Sequence, residues 1–331
     1  MTEFEIAEVL KNTNMYELAV KTNNDLVFTA EEKVASDQLD KYFKEVGERG
    51  VDPNHEIAAF ITKAINEEIY DTPNELLDAL FDQDTIGEFD DYEGVRDPKN
   101  TLMAYDAAQG GNVKRSYLDI TVLTPTWKNK QIEADISFKD LRRNGWKTVA
   151  KITEYAVATF KNVLFKDIFD VIDAGIVDGA DNYINASSMQ TPDQVVADQL
   201  ALYLQDRTDG GEGIIVGRSK YIQAMSKLNG FASDEMKNEV NKTGRLGTYD
   251  GCTLVPVSSA KSLGDGSKLI ADKRLFGIAG KIGTLTMKGE MHTYQVEDPN
   301  KEQIHLLFKD FTYGYSFNKD TLENVVKVVL A

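Results

Sequence analysis

Along the first third of the chain, apolar positions recur with helical spacing. Thr29-Ala30-Glu31-Glu32 reads as a capping box, with Thr29 as N-cap and Glu32 reaching back to it. Val34, Leu39, Tyr42, Phe43 and Val46 then form one face that stops near Gly47. A second helix is predicted from about Pro53, carrying Ile57, Ala58, Ile61, Ala64, Ile65 and Ile69. A third opens at Thr72-Pro73, with proline at the first helical position, and holds Leu76, Leu77, Leu80 and Phe81. At Asp84 the pattern turns polar. Two extended arms about Gly110-Gly111 predict a long hairpin, acidic on its incoming arm and carrying Lys114 and Arg115 on the outgoing one. Such a hairpin has no face of its own to bury and needs something to lie on.

Alternation resumes in Tyr117–Leu123 and Gln131–Phe138, both predicted strands. From Gly145-Trp146 the longest helical stripe in the chain begins: Val149, Ile152, Ala156, Phe160, Val163 and Asp167, widened by Leu164, Ile168, Val171 and Ile172 and stopped at Gly175. A Gly/Asn/Ser-rich turn region (179–190) precedes a helix from Thr191-Pro192-Asp193. A short buried strand in 211–219, a helix over Tyr221–Leu228 and a polar excursion come next. Short β-prone runs follow at Thr253–Val257, Lys268–Ala271, Leu275–Ile278 and Leu285–Met287. Gln303–Phe317 and Val325–Leu330 are the clearest strands. The class is α+β.

Charge changes this picture. The chain has 331 residues and a net charge of −17, and residues 1–106, with 26 acidic against 9 basic side chains, carry all of it. Residues 107–166 reverse the sign, with 11 basic and 5 acidic. Segregation of this kind suggests complementary patches that meet within or between subunits. The acidic balance argues against nucleic-acid binding through a broad basic face. A single cysteine, Cys252, excludes an internal disulfide and fits a reducing compartment. No apolar run approaches the ~20 residues of a membrane span, and the first residues lack the basic start and apolar centre of a signal peptide. The expectation is synthesis in a cytoplasm, with no membrane partner.

Candidate chemistry is sparse. The glycines of Gly244-Arg-Leu-Gly247-Thr-Tyr-Asp-Gly251 fit neither phosphate-binding signature, and a strand follows them where a helix would be needed. A loop turning into a strand is the favoured reading. His55, His292 and His305 are scattered, and Cys252 has no Cys or His nearby, so neither metal ligation nor a local nucleophilic pair is supported. The Asp90-Asp91…Glu93 cluster lacks calcium-loop spacing. Trp127, Trp146, Phe160, Phe165 and Phe169 read as core or interface aromatics. We therefore assign no catalytic, cofactor-binding or metal residue, and expect a protein that is not an enzyme.

In this order, the helical N-terminus, the long hairpin (85–118), "IEADISFKDLRRNGW" (132–146), the long helix (146–174), "GEGIIVGRSKYIQAMSKLNG" (211–230), "GRLGTYDGCTLVPVSS" (244–259) and the closing "NVVKVVLA" (324–331) resemble the major capsid proteins of tailed bacteriophages, a fold shared with encapsulins. The resemblance implies a domain map. Residues 1–84 would be a retained N-terminal helical arm, and 85–118 an extended hairpin loop lying across a neighbouring subunit. Residues 119–192, with spine helix 146–174, and 273–317 would make the peripheral domain. Residues 193–272 and the closing strand 318–331 would make the axial domain.

It also implies a function: a late structural protein of the virion that self-assembles through pentamers and hexamers into an icosahedral shell, with a separate scaffolding protein and a portal. The shell would enclose double-stranded DNA without sequence-specific binding, after assembly in the bacterial host cytoplasm. A nanocompartment shell protein of the encapsulin type and an α/β enzyme with a small-molecule pocket are the competing expectations.

Overall fold

The computed structural model describes residues 13–70, 74–92, 94–99, 101–106, 116–117, 119–208, 212–228, 247–258, 263–317 and 320–331. Its axis is the long helix. Before it come α1 (Met15–Asn23), α2 (Ala30–Arg49), α3 (Glu56–Ile69), α4 (Glu75–Leu80) and α5 (Phe138–Asn144). The long helix itself is α6 (Trp146–Gly175), 30 residues and so about 45 Å in length at 1.5 Å per residue. The capping box at Thr29 is present in both directions, and α2 ends two residues beyond the predicted stop, on Gly50 in the left-handed region. Of the N-terminal helices, α1 has no counterpart among the sequence expectations. It is short, and only Met15, Leu18 and Ala19 are buried.

These helices, expected as an arm, lie in the main core. Phe43 stacks on Trp146 at 5.8 Å between ring centroids, and Phe60 meets both edge-on at 5.4 and 6.2 Å. The Trp146 indole N–H donates to the Thr22 hydroxyl at 3.0 Å, which fastens α1 to the start of α6. Each fully buried aromatic of this cluster contributes on the order of 2–3 kcal/mol, so the first half of α6 depends on residues 15–65 for its cover. Gly145 precedes α6 at φ +51°, and a Cβ there would collide with Asp40, whose carboxylate accepts from the Trp146 N–H and so caps the helix.

Two sheets flank α6. The first holds β1 (Phe81–Ile86), β4 (Thr126–Ser137), β10 (Gly283–Lys288), β11 (His292–Asp298) and β12 (Gln303–Phe317). The 15-residue β12 is its centre: β4 runs along one edge, while β11 and β10 share the other, paired with 303–309 and 312–317 respectively. β1 adds in parallel outside β10. A bulge between Phe308 and Phe311 lets β12 keep Ile304, Leu306, Phe308, Phe311, Tyr313 and Tyr315 all on the core face. β11, unpaired outside, is covered by α3: the Asn66 amide both donates to and accepts from the Met291 backbone, and Thr62 accepts from the Thr293 N–H.

On the opposite edge, β4 points Lys128 and Lys130 inward to Asp167 of α6, at 3.1 and 2.9 Å. Inward-pointing charges of this kind discourage another strand from adding there. Tyr313 also donates to Asp167, at 2.6 Å. Burial by itself would raise the Asp167 carboxyl; Tyr313 and the two ammonium groups more than offset it and hold it below the usual carboxylate range.

The second sheet has the order β5 (Tyr183–Ala186), β13 (Val325–Leu330), β9 (Arg274–Ile278), β6 (Ile214–Arg218), β8 (Cys252–Val257) and β7 (Thr248–Tyr249). α7 (Gln194–Arg207) packs on it, with α8 (Ser219–Met225) after β6. Sequence expectations differ here in three places. The turn region 179–190 contains β5, which is short and pairs in parallel with β13. Residues 268–271 form no strand. The expected grouping of 273–317 divides between the two sheets, because β9 pairs with β13 and β6 while β10 to β12 belong to the first.

The end of α6 is where the sheets are joined. Phe169 stacks on Phe276 of β9 at 5.4 Å. Lys327 of β13, only 7% exposed, donates to the Asp173 and Ile176 carbonyls at 2.6 and 3.2 Å and pairs with the Asp173 carboxylate at 2.8 Å. Arg274 reaches the same carboxylate at 3.1 Å. A cation at a helix C-terminus satisfies carbonyls that have no partner within the helix and complements its dipole.

Lys327→Met keeps the stem and deletes the charge; it is expected to lower unfolding free energy by about 1.5–3 kcal/mol, read from the urea midpoint. Asp167→Asn tests the other buried cluster. The lowered folded-state pKa means Asp167 stabilises above the unfolded carboxylate value and loses that effect as pH falls through its folded one. The wild-type advantage over Asp167→Asn in urea should therefore be full at about pH 6 and shrink as pH falls below the usual carboxylate range.

Candidate assembly surfaces

One element has no place in either sheet. Among the described residues, β2 (Val95–Lys99) and β3 (Asp119–Leu123) pair only with each other, in antiparallel register from Val95↔Leu123 to Lys99↔Asp119. The Thr101 hydroxyl donates to the Tyr117 carbonyl and carries the pairing past the strand ends. The predicted hairpin (85–118) differs in its outgoing arm: β2 pairs with the run expected as a separate strand after it, while the Gly110-Gly111 turn and Lys114 and Arg115 lie outside the described residues. A two-stranded ribbon is marginal in water when nothing covers it. Here Leu102, Met103, Tyr105, Tyr117, Ile120 and Val122 are all exposed, with Ile120 and Val122 on the same face of β3. Exposed apolar residues gathered on one element mark a surface made for contact.

The ribbon leaves the body at a braced corner. Trp127 lies over Gly314, where a Cβ would come within 2.8 Å of the indole, so only glycine admits the ring there. Tyr92 meets Trp127 edge-on at 5.9 Å and accepts from the Thr286 hydroxyl at 3.2 Å, while Lys288 sits 5.8 Å over the indole. Between Ile86 and Tyr92 the chain makes a turn closed by Asp90 N–H to Gly87 C=O at 3.2 Å and by Gly87 N–H to the Asp90 carboxylate at 3.0 Å.

The charge segregation resolves into contacts within one subunit and surfaces left over. Lys161 pairs with Glu68 and Lys147 with Asp25, so the acidic third and the basic segment already meet inside one chain. Left over are exposed acids around the turn (Asp84, Glu88, Asp91) and exposed bases on α5 and the first turns of α6 (Lys139, Arg143, Lys151).

The residues tested for chemistry fall as follows. Cys252 is buried at the start of β8, where burial pushes its thiol pKa up and keeps it a poor nucleophile. Asp250-Gly251, both at positive φ, form the two-residue turn joining β7 to β8. The glycine-rich stretch thus ends in a hairpin at a sheet edge, and its first glycine, Gly244, lies outside the described residues. His55 and His292, distant in sequence, line one open hollow of about 820 Å³ between α3 and β11. His305 stands elsewhere, bonded to Asp135 across the outer face of the first sheet. Among the described residues, no three His, Cys, Asp or Glu side chains are grouped to hold a metal ion. Glu93 of the acidic cluster lies outside them too. Trp146, Phe160 and Phe169 are core, Phe165 is half-buried, and Trp127 is partly exposed at the ribbon's base. Sequence reasoning missed the Lys327–Asp173–Arg274 joint, since nothing local marks a strand lysine as a helix cap 150 residues away.

Comparison with known proteins agrees with this arrangement. Microbacterium phage Oxtober96 provides a solved structure with a TM-score of 0.50 at 12% identity, covering 78% of this chain and 92% of that one; the two share a fold. The mature capsid of bacteriophage PhiM1 gives 0.49 at 11% identity over 78% and 88% of the two chains. The capsid of cyanophage P-SCSP1u gives 0.49 at 10% over 78% and 88%. No curated protein matches the sequence. A family described as "SPbeta prophage-derived putative capsid protein YonB" matches residues 12–312. With residues 12–312 matched, this chain belongs to the YonB family of phage capsid proteins.

Proposed function

We propose that the chain is the major capsid subunit of a tailed phage, assembling through pentamers and hexamers into an icosahedral shell around double-stranded DNA. The observation that carries this is the β2–β3 ribbon, which stands outside both sheets with its apolar side chains uncovered. Laid across an adjacent subunit, it would bury those residues and repay its own ordering. Head-to-tail contacts of this sort close into rings, and a shell adds many modest contacts into a stable whole.

The proposed map extends the intersubunit loop from 85–118 to 85–123, so that it holds the whole β2–β3 ribbon, and keeps α6 as the spine of a peripheral domain of the rest of 119–192 and most of 273–317. The axial domain is 193–272 with 318–331, to which β9 belongs through its pairing with β13 and β6, and β5 through its pairing with β13. Residues 1–84 are retained in the mature subunit in this reading, because α1 to α3 cover Trp146 and the start of α6. Scaffolding and portal proteins are the proposed partners, assembly takes place in the host cytoplasm, and the role is structural without catalysis. The YonB match supports this phage reading over a nanocompartment.

Purified protein should form shells, or rings of five or six, by negative-stain microscopy and light scattering. Ile120→Lys with Val122→Lys should abolish them, while shifting the urea midpoint by the equivalent of no more than about 0.5 kcal/mol, since both residues touch water in the isolated subunit. A variant that assembles like the wild type would show that the ribbon is not the contact.

A further inference from the structure

Phe89 is the most conspicuous side chain the ribbon reading leaves unexplained. It stands 91% exposed at the apex of the Gly87–Asp90 turn. That turn is anchored at both ends, by Gly289 N–H to the Ile86 carbonyl at 2.9 Å on one side and by Tyr92 against Thr286 and Trp127 on the other. The phenyl ring is therefore held out into solvent by a fixed frame, flanked by Glu88, Asp90 and Asp91. Asp90 is engaged with Gly87, which leaves Glu88 and Asp91 to face a partner.

Three hollows can be compared as receptors for such a knob. The one beside Trp127 is walled by Glu88, Glu290 and Asp310 against Lys288, and the one at His55 and His292 by Glu67 and Glu290 against Lys63. Both would repel it. The third, about 370 Å³, lies along the first turns of α6 and the end of α5, lined by Asp140, Asn144, Lys147, Thr148, Lys151, Ile152 and Tyr155. Its two lysines outnumber its one acid. Ile152 gives it an apolar floor, and Tyr155, 59% exposed, an aromatic wall. Lys151 lies 5.7 Å over the Tyr155 ring, and Lys147 pairs with the exposed Asp25, a pair of the kind worth little in water.

We propose that the Glu88–Asp91 turn of one subunit docks in this hollow on a second copy of the chain, Phe89 entering against Ile152 and Tyr155, with Glu88 and Asp91 meeting Lys147 and Lys151. The proposal rests on the shell reading and adds to the ribbon a second, charge-selected contact. An aromatic anchor ringed by charges is the usual form of an interface hot spot, and the charges select the partner surface more than they bind it.

The test mixes two full-length variants, Asp91→Cys and Tyr155→Cys, under diamide as oxidant; Cys252 is buried and does not compete. A disulfide-linked dimer should form in the mixture and in neither variant alone. Independently, Phe89→Ala, Glu88→Lys with Asp91→Lys, and Lys147→Glu with Lys151→Glu should each weaken self-association about tenfold by sedimentation, and the two charge reversals combined should restore it. No cross-link above the single-variant controls, or charge reversals whose losses add, overturns the proposal. Should the wild type build shells while these fail, only the docking site falls; a wild type that forms neither shell nor ring removes the shell reading with it.

Discussion

A helix of thirty residues with an apolar stripe along its whole length is the constraint from which the rest of the fold follows. The stripe runs about 45 Å, and different partners bury it in turn. Trp146, Val149 and Ala150 are covered by the N-terminal helices, Phe160 by Phe311 of the long central strand, and Phe169 by Phe276 of the second sheet. Each partner comes from a distant part of the chain. The helix touches all three.

Both helix ends are fixed by groups whose loss would be felt. At the start, Asp40 accepts the Trp146 N–H, and a side chain on Gly145 would exclude it. At the finish, Lys327 replaces the intrahelical donors that the last carbonyls lack, and Arg274 shares the Asp173 carboxylate. These two residues come from β13 and β9, neighbours in the second sheet. A polar joint buried between layers orients one against the other more narrowly than apolar packing alone, because its hydrogen bonds are lost at small displacements. For a subunit that must present the same surfaces many times over, that orientation has direct consequences for assembly.

The surfaces follow a similar economy. Two edges of the first sheet are guarded: β11 by Asn66 and Thr62, β4 by lysines turned inward to Asp167. Exposed apolar side chains recur along the ribbon and stand again on the turn at its base. Ile120, Val122 and Phe89 are left in water on elements that pair with neither sheet edge, where the proposed contacts lie.

Much of this could be read in advance wherever the physics is local. The capping box at Thr29, the stripe from Trp146 to Gly175, the bounds of Gln303–Phe317 and Val325–Leu330 and the unsupported hairpin all follow from periodicity, capping and turn residues, which act over a few positions. Short elements were illegible. Met15–Asn23, Phe138–Asn144 and Tyr183–Ala186 carry too few apolar positions to show a period, and they hold their form through contacts with Trp146, β4 and β13. Tertiary structure alone decided which charges pair within the chain, as Lys161 with Glu68 and Lys327 with Asp173, and which remain for a neighbour. Charge acts through space, and composition reports only how much of it there is.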